Sequence, residues 1–529
     1  MEKEKKLGIA ITTAALLTTV ACGPIAPTET PALPPDPPAL SALTPQPFTP
    51  IPAATQATIS PIITATPSAT PAPTAAPYAY EDGSETAIVR ADVTRAEDLT
   101  EADIEDLVRQ AVALSGGLEG IVFNGATVVL KPNLVQMRVD STRELLDQEV
   151  NGVTADWRVT RAVAKMVCEL NPDGLIYVME GSATGRTKDV MEHFHYTKEH
   201  MPEVDAFFGL EEDSGAWQDT GAPELLLVPL EDGLLHTQYY FNRTLYEADL
   251  IISIPCLKTT NGVVVTAGIK NVCIGTPPGN IYGVSPTEPG KTKMVSHKIS
   301  DGHLDRWIVD YFRCKPVDFV VVDGLQGFQR GPVPSTGERK QTDKMNMRLI
   351  LAGADAVSVD TACALVIGWD PESVGYLQTF RELDIGHADP AYMRIAGTPV
   401  AEVRADFAIR KENLGGVKIQ KHAGPELSIE EATVSDGQLH LSGQLSDDAI
   451  KLEVYIDGQL RLHRAVASGA WEASLDFIGF DEDADITVIA YDRFLNQRQQ
   501  TAPPLSVRPV AFLRVLGVSK NVPYGKMRA

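Results

Sequence analysis

Cysteine, aromatic residues and positive charge are all scarce in this sequence of 529 residues. The six cysteines lie far apart and form no CxxC pair, so an iron–sulfur cluster or a zinc site of ordinary ligand spacing is not expected. The formal net charge of −24 excludes nucleic acid as a partner, because nucleic-acid binding needs a basic face. No GxxxxGK[ST] loop is present and no GxGxxG follows a strand, so nucleotide binding is not indicated.

The first 22 residues have the pattern of an export signal. Three lysines within residues 3–6 precede an uncharged run, Leu7 to Ala21, which is too short to form a stable membrane span. The run ends in a sequence similar to a bacterial lipobox, with Thr19 in the place of the usual leucine and Cys22 as the residue that becomes lipidated. We expect a protein exported to the outer side of the cell membrane and held there by a lipid on Cys22. If Cys22 is not lipidated, the protein is secreted.

Residues 23–79 consist largely of Pro, Ala, Thr and Ser and contain no lysine or arginine. Such a segment has too few apolar side chains to form a core, and its prolines favour the extended polyproline II conformation. We expect a disordered stalk that reaches on the order of 150 Å if extended.

Residues 80–425 alternate between helix and strand patterns, which predicts an α/β domain. Thr100 is expected to begin one helix, and residues 159–170 carry apolar side chains at the spacing of another. Near-continuous apolar runs indicate buried strands of a mostly parallel sheet with helices on both faces. The four clearest runs are Ala126 to Leu130, Leu175 to Met179, Leu250 to Ile254 and Phe319 to Val322.

Polar side chains follow each of these four strands. In open α/β sheets the carboxyl ends of the strands form the ligand-binding edge, so we expect these side chains to meet there. The segment Gly268 to Asn271 adds backbone N–H groups and positive charge, which suit a carboxylate or a phosphate. The predicted binding residues for such a small anionic molecule are Lys131, Asn133, Ser182, Lys258, Thr259, Lys270, Asn271 and Asp360.

Three further residues are candidates for catalysis. Glu180, Asp323 and His297 have side chains that move protons or hold a divalent metal. The sequence does not identify a cofactor. These side chains can hold a divalent metal ion. A histidine in a loop, such as His297, also has a structural explanation.

A helix over residues 356–367, capped by Asp355, carries Asp360 among apolar side chains. A buried carboxylate is costly unless it is paired. We expect Lys131, Lys258 or Lys270 to be its partner.

Five motifs in this order resemble the domain of unknown function family number 362 over nearly the whole predicted α/β domain. They are Val129 to Leu134, Ala248 to Thr259, Gly268 to Asn271, Val322 to Gly324 with Gly331-Pro332, and Gly353 to Asp360. The resemblance implies little about chemistry. Members of the family are often described as redox proteins or beside iron–sulfur modules, and this chain departs from that because it has no cysteine cluster. A thiol role for Cys256 would be particular to this protein.

Residues 426–510 change to short strands with alternating polarity. Asp457-Gly458 is typical of a hairpin turn between two of them. The pattern predicts a small all-β sandwich, similar to bacterial immunoglobulin-like domains, followed by a tail over residues 511–529. This domain carries no catalytic arrangement of residues.

Two functions are consistent with this sequence. The α/β domain binds a small anionic ligand and performs acid/base or metal-assisted chemistry on it, or the chain is a non-catalytic ligand-binding or adhesive protein of the cell surface. The mixture of lysines and carboxylates at one sheet edge favours the enzyme, because capture of an anion needs no carboxylate.

Overall fold

A computed structural model describes ten stretches of the chain, and all of them belong to one compact unit, Pro71–Ala529. The described residues are 84–135, 150–183, 186–210, 225–260, 262–282, 303–333, 343–409, 416–420, 423–481 and 483–507. The predicted signal peptide, lipidation site, stalk and C-terminal tail lie outside them. Among the described residues, no helix is both long enough and apolar enough to cross a membrane.

The first part of this unit is built around a large sheet. Most of its strands coincide with short apolar runs of the sequence, because strands covered on both faces are buried. The first twelve strands are β1 Ser84–Arg90, β2 Thr127–Pro132, β3 Leu175–Glu180, β4 Ala206–Gly209, β5 Leu225–Pro229, β6 Gln238–Asn242, β7 Leu250–Ile254, β8 Cys256–Thr260, β9 Val264–Thr266, β10 Phe319–Phe328, β11 Lys344–Gly353 and β12 Met393–Gly397. All except β5 and β6 belong to the large sheet, and those two form a separate antiparallel pair.

The strands of the large sheet run in the order β12-β1-β11-β10-β7-β2-β3-β4. Neighbours from β10 to β4 are parallel, and so are β12 and β1, whereas β11 is antiparallel to both of its neighbours. Strand β8 continues the chain beyond Pro255, pairs with β10 and forms an antiparallel pair with β9. The mostly parallel sheet is therefore confirmed.

Helices cover both faces of the large sheet. They are α1 Glu101–Leu114, α2 Trp157–Leu170, α3 Thr187–His193, α4 Arg243–Glu247, α5 Gly268–Gly275, α6 Gly279–Tyr282, α7 His303–Cys314, α8 Ala356–Val366, α9 Gly375–Glu382 and α10 Val400–Val403. Side chains along β2 alternate between two cores, because successive residues of a strand point to opposite faces. Val128 and Leu130 pack with α1 and α2, while Val129 packs with α5, α7 and α8.

Local sequence signals account for several helix starts. Thr100 and Asp103 form a reciprocal capping box at α1, and Asp355 accepts hydrogen bonds from the first turn of α8, as predicted. Both boundaries depend on contacts within a few residues of sequence. That is why they can be read from the sequence alone.

The C-terminal part contains two four-stranded sheets. Their strands are β13 Leu427–Ser435, β14 Gln438–Leu445, β15 Ala449–Ile456, β16 Gln459–Ala465, β17 Gly469–Asp476, β18 Ile486–Asp492, β19 Gln497–Thr501 and β20 Ser506–Val507. The orders are β17-β14-β13-β20 and β16-β15-β18-β19, antiparallel except for the pair β13 and β20. Both sheets contribute to one core, for example Leu441 from the first and Val454 from the second.

The C-terminal sheets are held against the α/β part by polar contacts, one of which is fully buried. Lys451 is fully buried, and its ammonium donates a hydrogen bond to the Met393 carbonyl oxygen at 2.6 Å. Arg404 donates to the Asn496 side chain at 2.6 Å, and Arg493 pairs with Asp370. These contacts make the C-terminal sheets a packed part of the same unit.

Candidate functional site

The polar residues predicted at four strand ends lie on or after neighbouring strands of the sheet, although Asp323 lies in the middle of β10, which continues to Phe328, and not at a strand end as predicted. Strands β10, β7, β2 and β3 lie side by side and are parallel, so their carboxyl ends share one edge. Helix α5 lies against this edge. Its close packing needs a glycine at its C-terminal end, because a Cβ on Gly275 would lie 2.6 Å from the Lys131 ammonium.

Lys131 and Glu180 form a buried ion pair at the ends of β2 and β3. The Lys131 Nζ lies 2.6 Å from Glu180 Oε2 and also donates to the Pro132 carbonyl and the Asn271 side chain. Glu180 accepts two backbone N–H groups as well, from Leu134 and from the residue that follows it. With three acceptors, the Lys131 ammonium uses all of its donors.

A chain of amides joins this ion pair to Lys258. The Asn271 oxygen accepts from both Lys131 and Asn133, and its amide nitrogen donates to the Lys131 carbonyl and to Ser253. The Asn133 oxygen in turn accepts from the Lys258 ammonium at 2.5 Å. Lys258 also donates to the Val153 carbonyl, so one of its three donors has no acceptor within the part of the chain that the structure describes. Burial lowers the pKa of Lys258 to about 8.

Lys270 differs from the other two lysines. Only 6% of it is exposed, and no hydrogen bond or ion pair joins its ammonium to any described residue. It lines a cavity of about 70 Å³ together with Asn133, Glu180 and Lys258. Burial, and then the positive charge of Lys258, lower the pKa of Lys270 to about 7. The positive end of helix α5, where Lys270 lies, acts in the same direction.

Thr266 is a second cavity-lining residue with an unused polar group. It ends β9, only 2% of it is exposed, and its hydroxyl has no hydrogen-bond partner among the described residues. Thr266 was not among the site residues predicted from the sequence. The signal available was its position two residues before the motif that begins at Gly268, which is a weak one.

Asp360 lies behind the cavity and supports helix α5. Its carboxylate accepts hydrogen bonds from the Gly268 and Ile269 backbone N–H groups and from the Tyr376 hydroxyl. The expectation that a lysine pairs with Asp360 is wrong, because backbone N–H groups at the start of α5 donate hydrogen bonds to its carboxylate instead. Burial raises the pKa of Asp360 to about 7 despite these hydrogen bonds.

Three other predicted site residues use their side chains in hydrogen bonds to backbone groups. Asp323 accepts the backbone N–H groups of Asp156 and Leu325, and burial raises its pKa to about 7. The hydroxyls of Ser182 and Thr259 donate to the carbonyls of Val135 and Ala408 respectively. None of the three is among the described residues that line the cavity. Their assignment to a site stays a prediction.

His297 and Cys22 lie outside the described residues. Within the described ranges, no three His, Cys, Asp or Glu side chains are grouped so that they could hold a metal ion. The five cysteines in those ranges, Cys168, Cys256, Cys273, Cys314 and Cys363, are all free thiols. Burial raises the pKa of the Cys256 thiol, which makes it a weak nucleophile.

Comparisons with known proteins agree with the motif resemblance. Residues 128–365 match the model of the family described as Domain of unknown function (DUF362). That range includes both strand ends of the ion pair and the whole of helix α5. The resemblance seen in the sequence is confirmed for this part of the chain. No curated protein matches the chain.

Similarity to solved structures is weak. The lactate racemase apoprotein from Thermoanaerobacterium thermosaccharolyticum aligns with 12% identity and a TM-score of 0.27, over 46% of this chain and 51% of its own. The chain thus spans about half the length of that protein. The spore cortex lytic enzyme SleM from Clostridium perfringens aligns with 10% identity and a TM-score of 0.15, over 75% of this chain and 84% of its own. Alignments with TM-scores this low do not establish a shared fold.

Proposed function

We propose that the α/β domain binds a small anionic ligand, a carboxylate or a phosphate, in the cavity beside Lys270. The observation that carries this proposal is the Lys270 side chain, which is only 6% exposed, lines the cavity and has no hydrogen-bond partner for its ammonium among the described residues. A buried charge without a partner is costly in a folded protein. An anion in the cavity would remove that cost.

The charges around the cavity favour an anion. Lys258 and Lys270 both line it, and Glu180 is the one acidic residue among its described lining residues. Glu180 is already neutralised by Lys131 at 2.6 Å. The spare donor of Lys258 and the hydroxyl of Thr266 complete a set of groups that can bind oxygen atoms.

The volume of the cavity limits the size of the bound group. About 70 Å³ is roughly half of the ~150 Å³ that an engineered protein cavity uses to hold one benzene molecule. A carboxylate or phosphate group with a short substituent fits that volume.

Lys270 also supports acid/base chemistry at this site. With a pKa of about 7, it exists in both protonation states near neutral pH, which is the condition for efficient proton transfer. Glu180 lines the same cavity, so a bound molecule lies near a basic and an acidic side chain. This mixture favours an enzyme over a protein that only captures an anion.

The change of melting temperature on adding acetate, glyoxylate or inorganic phosphate to the full chain tests the binding proposal. We expect at least one probe to stabilise the wild-type protein at pH 6, where Lys270 is charged. The variants Lys270→Met and Thr266→Val should lose that response, whereas Lys165→Met, which changes a lysine on α2 far from the cavity lining, should keep it. If no probe stabilises the wild type, the cavity is not an anion site.

We further propose that this domain acts outside the cytoplasm, anchored by a lipid on Cys22 and followed by an immunoglobulin-like domain. The export-signal pattern before Cys22 supports the first part, and the two sheets with one core support the second. Metabolic labelling with a fatty acid, compared between wild type and Cys22→Ala, tests the anchor. Labelling that persists in Cys22→Ala would overturn it.

A further inference from the structure

The three lysines near the sheet edge differ in how many acceptors their ammonium groups contact. Lys131 contacts three, Lys258 contacts two, and Lys270 contacts none among the described residues. An ammonium that donates hydrogen bonds to several acceptors is stabilised in its protonated form, which has no lone pair with which to attack. Among the three lysines, Lys270 is therefore the one that no described acceptor holds in that form.

The surroundings of Lys270 favour its neutral form. The Lys270 side chain is buried, as are the other residues of α5 from Gly268 to Ile274. A second lysine, Lys258, lines the same cavity. The Lys270 pKa of about 7 means that about half of the Lys270 side chains are neutral at pH 7, whereas an exposed lysine is almost entirely charged. Desolvation and a neighbouring cation are the two ways in which proteins activate a lysine as a nucleophile.

We propose that Lys270 forms a Schiff base with a small aldehyde or ketone that carries an acid group, such as a 2-oxo acid. This inference rests on the proposed function, because the acid group would be held by Lys258 and Thr266 in the anion-binding cavity. Binding of that group brings the neighbouring carbonyl carbon beside the Lys270 nitrogen. A molecule with a short carbon chain fits the cavity volume.

The reaction balances without an oxidant or a reductant. The neutral Lys270 amine attacks the carbonyl carbon, a C–N bond forms, and the carbonyl π electrons move to the oxygen. The nitrogen loses one proton and the oxygen gains one, which gives a carbinolamine. A second proton, taken up from solvent, turns the hydroxyl into water, which leaves as the nitrogen lone pair forms the C=N bond. The net products are an iminium ion and one molecule of water.

Reductive trapping tests this proposal. The full chain is incubated at pH 7 with pyruvate and sodium cyanoborohydride, which reduces an iminium ion to a stable secondary amine, and peptide mass mapping locates the adduct. We expect modification of Lys270 at least about tenfold faster than of exposed lysines, because an exposed lysine has a neutral fraction at pH 7 that is smaller by about three orders of magnitude. The rate at Lys270 should level off above about pH 8, while the rate at exposed lysines keeps rising.

Two variants serve as controls. Lys270→Arg keeps a cation but removes the nucleophilic amine, so the fast adduct should disappear, and Lys165→Arg should leave it unchanged. Mapping of the wild type alone decides the matter if Lys270→Arg does not fold. If pyruvate raises the melting temperature but Lys270 stays unmodified, the anion site stands and the Schiff base is wrong. If pyruvate, acetate and phosphate all fail to raise it and Lys270 stays unmodified, both proposals are wrong.

Discussion

The Lys131 ammonium lies 2.6 Å from a Glu180 carboxylate oxygen, and both side chains are buried at the edge of the large sheet. This pair joins the ends of two neighbouring parallel strands. It also orients Asn271, whose amide links the pair to Asn133 and from there to Lys258. The pair is thus the fixed part of the site, and Lys270 is the residue that we propose contacts the ligand.

Breaking this ion pair should strongly destabilise the protein. Lys131→Met leaves the Glu180 carboxylate buried without its cation, and the loss of one partner from a buried pair costs about 3–5 kcal/mol. Chemical denaturation monitored by circular dichroism measures the free energy of unfolding. The exposed pairs of Arg381 with Glu372 and Asp389 provide the control, because Arg381→Met should cost only about 0–1 kcal/mol. Equal effects of the two variants would show that the buried pair has no special role.

Lys270 should make stability depend on pH in a defined direction. Its pKa falls from the ordinary value of a lysine to about 7 on folding, so the unfolded chain binds more protons between about pH 7 and pH 10. The stability contributed by the neutral amine is therefore present above about pH 10 and is lost as the pH falls from about 10 to about 7, below which both states bind the proton. Lys270→Met removes this dependence, so its melting temperature relative to wild type should rise as the pH falls from 10 to 6. A difference that does not change with pH would contradict the lowered pKa.

Asp360 should affect ligand binding although it does not line the cavity. Asp360→Ala leaves the Gly268 and Ile269 N–H groups and the Tyr376 hydroxyl unpaired, which should cost about 3 kcal/mol and loosen the start of the helix that carries Lys270. Asp355→Ala is the matched control, since it removes a similar cap from α8. We expect both variants to lower stability, but only Asp360→Ala to weaken binding of acetate or phosphate, as measured by calorimetry. Equal binding by the two variants would limit Asp360 to a structural role.

Lys451 should couple the C-terminal sheets to the α/β part. Its ammonium donates to the Met393 carbonyl and lies 3.5 Å from Glu453, and both charged side chains are buried. Lys451→Met removes the cation beside Glu453, so we expect a loss of about 3 kcal/mol or more. Differential scanning calorimetry should show one transition for the wild type and an earlier, separate one for the C-terminal sheets in the variant. Two transitions in the wild type would mean that the contact does not couple the two parts.

The elements that depend on local sequence were predictable. Strand β7 matches its predicted bounds, Leu250 to Ile254, because a continuous apolar run between turn residues has few other interpretations. The capping residues Thr100 and Asp355 were found for the same reason, since their partners lie within three residues. The antiparallel direction of β11 depends on pairing across the sheet, and no pattern within the strand reveals it.

The composition of the site was predictable only in part. Lys131, Glu180, Lys258 and Lys270 follow or adjoin buried strands, and the sheet brings them together as expected. The partner of Asp360 was predicted wrongly, because the approach of the α5 N-terminus to α8 depends on tertiary packing. The number of hydrogen bonds that each of the three lysines donates also could not be predicted, since the acceptors are mostly distant in sequence.

The binding of acetate and inorganic phosphate to the full chain by isothermal titration calorimetry tests the central claim most directly. At pH 6 we expect saturable binding of at least one of them at one site per chain. Because the charged form of Lys270 is lost above its pKa of about 7, acetate affinity should fall by about tenfold or more between pH 6 and pH 8.5. Lys270→Met should abolish binding and Lys165→Met should retain it. Absence of binding by the wild type at pH 6, or equal binding by Lys270→Met, would contradict the account.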